Sequence, residues 1–136
     1  MNNGLDVVRS FREAMARQGV ETDDAIFPDG NIHRFHVNGD KSYSRNGWYV
    51  LHIDDLSCGV YGSWKTGFSA KWSLKSESSM SLVDLVKYRS KISEMRYLRD
   101  LEKEKIRSKA ADRAKWLWKI AKLAQINHPY LLKRRS

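Results

Sequence analysis

The stretch Trp48-Tyr49-Val50-Leu51-His52-Ile53-Asp54 decides the fold. Taken alternately, Trp48, Val50 and His52 fall on one side and Tyr49, Leu51 and Ile53 on the other. A period of two is the signature of a strand, and apolar residues on both sides mark a central one. Asn46-Gly47, just before it, is a tight-turn signal. Downstream, residues 59–65 read as a second strand, Thr66-Gly67 as a turn, and residues 68–74 as a further strand alternating through Phe68, Ala70, Trp72 and Leu74. Upstream, residues 32–37 read as a short strand closed by the turn Asn38-Gly39-Asp40. The middle of the chain is therefore an antiparallel meander of about four strands.

Outside this meander the period changes. Leu5, Val8, Phe11 and Met15 recur at helical spacing over residues 5–18, with Asp6 in the first turn and Gly19 as a stop. Residues 20–30 carry Asp23, Asp24, Pro28, Asp29 and Gly30, which is turn chemistry. After the strands comes a serine-rich linker, residues 76–81. It ends in Ser81-Leu82-Val83-Asp84, a capping box with Asp in place of Glu. A long helical region follows. Leu85, Tyr88, Ile92 and Met95 form one stripe; Ala110, Ala114, Leu117, Ala121 and Ala124 form another, with a charged stretch between. One long helix and a pair of helices both fit, ending at Asn127-His128-Pro129. The expectation is an α+β fold: a short N-terminal helix, a small antiparallel sheet, and a long basic C-terminal helix or helix pair. The expected division is a helix-plus-sheet domain over residues 1–78 and a basic helical region over residues 79–136.

Charge divides at the same place. The chain of 136 residues has a formal net charge of +9. Residues 1–78 hold 9 Lys and Arg against 10 Asp and Glu, whereas residues 79–136 hold 16 against 6. The whole surplus thus lies in the helical region, and such asymmetry suits an element that meets phosphate or a membrane surface. Cys58 is the single cysteine, so no intrachain disulfide forms, which fits a reducing, cytoplasmic setting. The stretch from Met1 to Asp6 lacks the basic-then-apolar layout of a signal peptide, and no apolar run is long enough to span a bilayer. No membrane partner is expected.

Catalytic constellations are missing from the pattern. Asp54 and Asp55 are adjacent, so on a strand they face opposite ways and cannot share a metal ion. Gly62-Ser63-Trp64-Lys65-Thr66-Gly67 has the glycine spacing of a phosphate loop. Phe68-Ser69 stand where Lys-Ser/Thr belong, so the string reads as a strand and a hairpin turn. His33, His36, His52 and Cys58 lack the paired spacing of a zinc site, and nothing near Cys58 would activate a nucleophile. The expectation is a protein without a catalytic centre, metal or cofactor.

Aromatic and basic residues carry the positive reading. Tyr43, Trp48, Tyr49, Tyr61, Trp64, Phe68 and Trp72 are interleaved with Arg34, Lys41, Arg45, Lys65 and Lys71. Single-stranded nucleic acid is held in this way, with bases stacked on rings and phosphates on cations. A small sheet also needs large residues for its core, and alternation assigns Trp48 and Trp72 there. The expected site then has Arg34, Lys41, Arg45, Lys65 and Lys71 on phosphates, with Tyr43, Tyr61 and Trp64 stacking. Arg107, Arg113, Lys115 and Lys119 of the helical region would add sequence-independent attraction. Trp116 and Trp118 flank the second stripe, one expected to pack inward and the other to mark a contact surface.

These residues also carry a resemblance. The strings are Asp29-Gly30-Asn31-Ile32-His33-Arg34-Phe35, Gly39-Asp40-Lys41, Asn46-Gly47-Trp48-Tyr49, Gly59-Val60-Tyr61-Gly62-Ser63-Trp64-Lys65-Thr66-Gly67 and Trp72. Together with Phe11 they resemble the N-terminal region of phage and plasmid primase-helicase replication proteins of the Toprim type. Ala114-Lys115-Trp116-Leu117-Trp118, Ala121 and His128-Pro129-Tyr130-Leu131 look like the stretch that precedes the primase core in that family. The sequence stops at Lys133-Arg134-Arg135-Ser136, where the catalytic region would begin, and it lacks the Glu and Asp-x-Asp residues of a Toprim site. The resemblance therefore implies an accessory role on template DNA, single-stranded by preference, with a primase, helicase or other replication protein as a further partner. The rival expectation is a mobile-element protein that binds and inhibits a host protein or defence complex through its aromatic sheet or basic helix.

Overall fold

The computed structural model describes residues 4–126. The order is α1 (Gly4–Arg17), β1 (His33–Phe35), β2 (Gly47–His52), β3 (Cys58–Ser63), β4 (Ser69–Ser73), a single 3₁₀ turn (Glu77–Ser79) and α2 (Leu82–Ile126). The four strands form one antiparallel sheet in the order β1-β2-β3-β4. This is the expected α+β architecture. The chain separates into two compact units, the first running to Arg99 and the second from Asp100 onward.

Alternation in β2 decides which core each residue joins. Tyr49 and Leu51 meet Phe11 and Met15 of α1, together with Phe35 and Tyr61. Trp48 and Val50 meet Cys58 and Val60, and beyond them Tyr88, Ile92 and Met95 of α2. The sheet of the first unit is thus covered on both faces, which is why β2 and β3 are buried almost throughout. The expected boundary at residues 78/79 falls ahead of this second layer, because Tyr88, Ile92 and Met95 complete the core.

On α1 the buried face is Val7, Phe11, Ala14 and Met15, the spacing of one helical stripe. Leu5, expected in the stripe, is exposed. It stands two residues before Val7, which on a helix is nearly the opposite side. The helix ends in a Schellman motif. Val20 N–H donates to the Met15 carbonyl at 3.0 Å and Gly19 N–H to that of Ala16 at 3.1 Å. Gly19 supplies the left-handed turn at φ 84°.

Three strand glycines have a different reason. A Cβ on Gly59 would stand 2.7 Å from the Val50 carbonyl oxygen and 2.9 Å from the Phe11 ring. On Gly62 it would meet the Phe68 carbonyl and Trp48, and on Gly47 the Phe35 ring. Gly47 was expected in a turn; it lies in β2, where Phe35 closes over it. The same contact ends β1 early, at Phe35 rather than residue 37, since Phe35 pairs with the first residue of β2. The next amide, His36 N–H, donates to Asp24 Oδ2 instead.

α2 is one helix and not a pair. Ser81 Oγ accepts from Asp84 N–H at 3.1 Å, the N-terminal half of the expected capping box. The expected stop at Asn127-His128-Pro129 lies outside the described residues. None of the described helices is long and apolar enough to cross a membrane.

Candidate nucleic-acid interface

Between β1 and β2 the chain runs through a loop, residues 36–46, that holds Lys41, Tyr43 and Arg45 of the expected site. Its first part turns at Asp40, whose N–H donates to the Val37 carbonyl at 3.0 Å. Its second part is a four-residue turn from Lys41 to Ser44, closed by Ser44 N–H on the Lys41 carbonyl at 3.1 Å. The third residue of that turn is Tyr43, with φ 72° and a fully exposed side chain. A positive φ at this place defines a type II turn and calls for glycine; a tyrosine there is strained. His36 steadies the loop through a 2.9 Å hydrogen bond between Nδ1 and the Ser44 carbonyl.

Two arginines bind the loop to the edge strand. Arg34 Nε donates to the Arg45 carbonyl at 3.0 Å, and Arg45 donates back to the Arg34 carbonyl at 3.3 Å. The tip of the β3–β4 hairpin, residues 64–67, joins the same end of the sheet. Trp64 N–H donates to the Asn46 carbonyl at 2.7 Å, and Lys65 Nζ stands 3.5 Å from Asp40 Oδ1. Arg34, Arg45, Lys65 and Trp64 are thus tied to one end of the sheet together with the loop that carries Lys41 and Tyr43, and Asp40 brings a carboxylate into the group. The glycine-spaced string at residues 62–67 is a strand end and a hairpin loop, as expected from its mismatch to a phosphate loop.

Tyr61 is corrected. It is 3 % exposed, its hydroxyl donates to the Ala14 carbonyl, and its ring stands edge-on to Phe11 at 5.6 Å. Its alternation puts it under α1, so it offers no stacking face. Trp64 is half-used. It is partly buried and stacked on Trp48 at 5.4 Å, so one of its faces is taken. Trp48 itself is core, with the Arg99 guanidinium 5.9 Å from its ring centre, and Trp72 packs edge-on to Phe11. With α1 on one face and the early turns of α2 on the other, most of the sheet's aromatic rings lie in the core.

Lys71 lies apart, on the opposite edge strand. Its Nζ pairs with Glu77 at 3.0 Å and sits over the Tyr88 ring. Arg107, Arg113, Lys115 and Lys119 are exposed in the second unit. Lys115 and Lys119 share one helix face, while Arg107 and Arg113 point elsewhere on it. Sequence reasoning missed Asp40 and His36, which position the loop. Asp40 stands in a turn string and His36 in an expected strand, so neither announces its partner.

The acidic pair is structural. Lys91 Nζ lies 3.0 Å from Asp54 and Lys87 Nζ 3.2 Å from Asp55. The hydrogen bond from Lys87 holds the Asp55 carboxyl below the usual range. Burial pulls the Lys91 ammonium down, but Asp54 and Asp55 outweigh it and raise its pKa. A cleft of about 330 Å³ beside this pair is lined by Asp54, Asp55, Asp84 and Lys75, and Lys75 pairs with Asp84 at 3.9 Å. Among the described residues no group of three or more His, Cys, Asp or Glu could hold a metal ion.

No protein-family model matches the chain, and no solved structure does. Among curated proteins it is similar to a DNA primase TraC of Escherichia coli, with 37% identity over 68 residues. That match covers 48% of this chain and 6% of the primase, so the chain corresponds to a small part of its relative.

Proposed function

We propose that the chain binds single-stranded DNA as a non-catalytic module of plasmid or phage replication, working beside a primase. The observation that carries this reading is Tyr43, fully exposed on a strained turn of the loop that carries Lys41 and Arg45, a loop tied to Arg34 of the edge strand and, through Asp40, to Lys65 of the hairpin tip. A strained, solvent-facing aromatic adds nothing to the core, and strain of this kind gathers at ligand sites. A base stacked on one ring contributes about 1–3 kcal/mol whatever its identity, and the four cations take phosphates on either side. Similarity to a DNA primase supports the replication setting. The cations of the second unit add long-range attraction.

Fluorescence anisotropy with a labelled oligo-thymidine tests the site. Each cation lost should flatten the log affinity–log salt slope by about 0.7. Lys41→Gln with Arg45→Gln should therefore flatten it by about 1.4. Tyr43→Gly should weaken binding roughly 5- to 160-fold, the value of one stacked base, with little change in slope. An unchanged slope and affinity in both variants would remove the site.

A further inference from the structure

Residues 114–124 of α2 carry, besides their lysines, exposed apolar and indole side chains that DNA binding does not need. All are apolar except Lys115, Lys119 and Lys122. At about 100° per residue these three lysines fall in an arc roughly 60° wide. Leu117, Ala121 and Ala124 lie on the far side. Trp116 and Trp118 fall on the two flanks, each roughly 70–90° from the lysine row. Trp116, Leu117, Trp118 and Leu123 are each more than half exposed, and Ile120 is 42 % exposed. Lys122 Nζ sits 4.6 Å over the Trp118 ring. Over residues 105–126, seven Lys and Arg face one acid, Asp112.

We propose that residues 114–124 form a surface anchor that lies in the headgroup layer of an anionic phospholipid bilayer. The placement of charge and indole selects this occupant. The apolar arc spans roughly 220°, wider than the stripe of about 100° with which a helix meets a folded neighbour. A second copy would bring its own cationic surplus. A protein groove would take Leu117 on its floor and leave the lysine row facing away. At a bilayer, lipid phosphates stand level with the helix flanks. Lysine stems can lie along the helix and reach them, and tryptophan prefers that same layer. The segment is too short and too basic to span, so it lies on the surface. This inference does not rest on the loop around Tyr43.

The test is sedimentation of the full chain with sucrose-loaded vesicles, made of phosphatidylcholine alone or mixed equally with phosphatidylglycerol. The chain should pellet with the mixed vesicles and not with phosphatidylcholine alone, and its tryptophan emission should shift to the blue. The charge-neutral pair Leu117→Gln with Ile120→Gln should lower partitioning at least about tenfold. The same variant should keep its oligonucleotide affinity and its unfolding midpoint, which shows that it is folded. Three results would overturn the proposal. One is no pelleting with anionic vesicles at low salt. Another is equal pelleting of the variant, which reports bare charge attraction. The third is lipid-free self-association that the variant abolishes, which assigns the face to a second copy.

Discussion

In the first part of α2, Tyr88, Ile92 and Met95 are buried against Trp48, Val50 and Val60. Beyond Asp100, Trp116, Leu117, Trp118 and Leu123 keep more than half of their surface exposed. Both parts carry apolar residues at helical spacing, and both belong to one unbroken helix. The difference lies in what they meet. A strand with two apolar sides needs two covers, and the early turns of α2 supply the second. The later turns have apolar surface in excess of anything the first unit demands. Apolar spacing therefore marks a face to be covered and does not say by what.

The core side of this contrast predicts the largest effects. Phe11 is fully buried and meets Tyr49, Tyr61 and Trp72 edge-on, with centroids 5.3–6.0 Å apart. Phe11→Ala should cost about 3–5 kcal/mol in urea unfolding, since transfer and cavity terms add. Ile92→Ala, on the opposite face of the sheet, should cost about 2–5 kcal/mol. A loss under about 1 kcal/mol at Ile92 would mean that α2 is no part of the core.

A pH titration probes the same layer. Burial pushes the Cys58 thiol up to about 11, from an ordinary 9.0. The folded chain then holds a proton that the unfolded chain releases near 9.0, so stability falls as pH rises from there to about 11 and is unaffected below. At about 1.4 kcal/mol per unit the loss approaches 2–3 kcal/mol. Burial likewise raises Tyr49, Tyr61 and Tyr88, which steepens the fall at higher pH. Melting of the wild type and of Cys58→Ala across this range should give curves that converge as pH rises. Parallel curves would show that Cys58 is not sealed.

How far the sequence could carry this is visible residue by residue. The two-sided alternation at residues 48–53 foretold a central strand, and the spacing of Tyr88, Ile92 and Met95 foretold a buried helix face. Tyr61 escaped because its identity suits stacking and core equally. Only the pairing with Tyr49, under α1, separates the two. Gly47 escaped because Asn-Gly is a turn signal, whereas here the glycine admits the Phe35 ring from across the sheet. Tyr43 was legible as an aromatic among cations. Its positive φ was not, because tyrosine carries no sign of a left-handed turn.

That strain gives a smaller effect of opposite sign. Tyr43→Gly removes a side chain that touches solvent alone and relieves the left-handed backbone. Glycine's extra freedom when unfolded offsets part of the gain, so stability should rise by roughly 0–1 kcal/mol. DNA affinity should fall in the same variant. Denaturation and anisotropy on one sample separate the two. A fall in stability would make Tyr43 a structural residue and weaken the case for a site.

The smallest effect sharpens the opening contrast most. Leu117→Ala deletes as much side chain as a core substitution, from a residue 53% exposed in the second unit. An exposed change to the best helix former alters stability by no more than about 0.5 kcal/mol. Ile92→Ala in the same helix should cost several times that. The pair holds helix, residue class and chemistry nearly constant and varies only the cover. Equal losses at the two sites would mean that the face around Leu117 is already buried in solution. Its exposed tryptophans would then be part of an interior and not a surface for another partner.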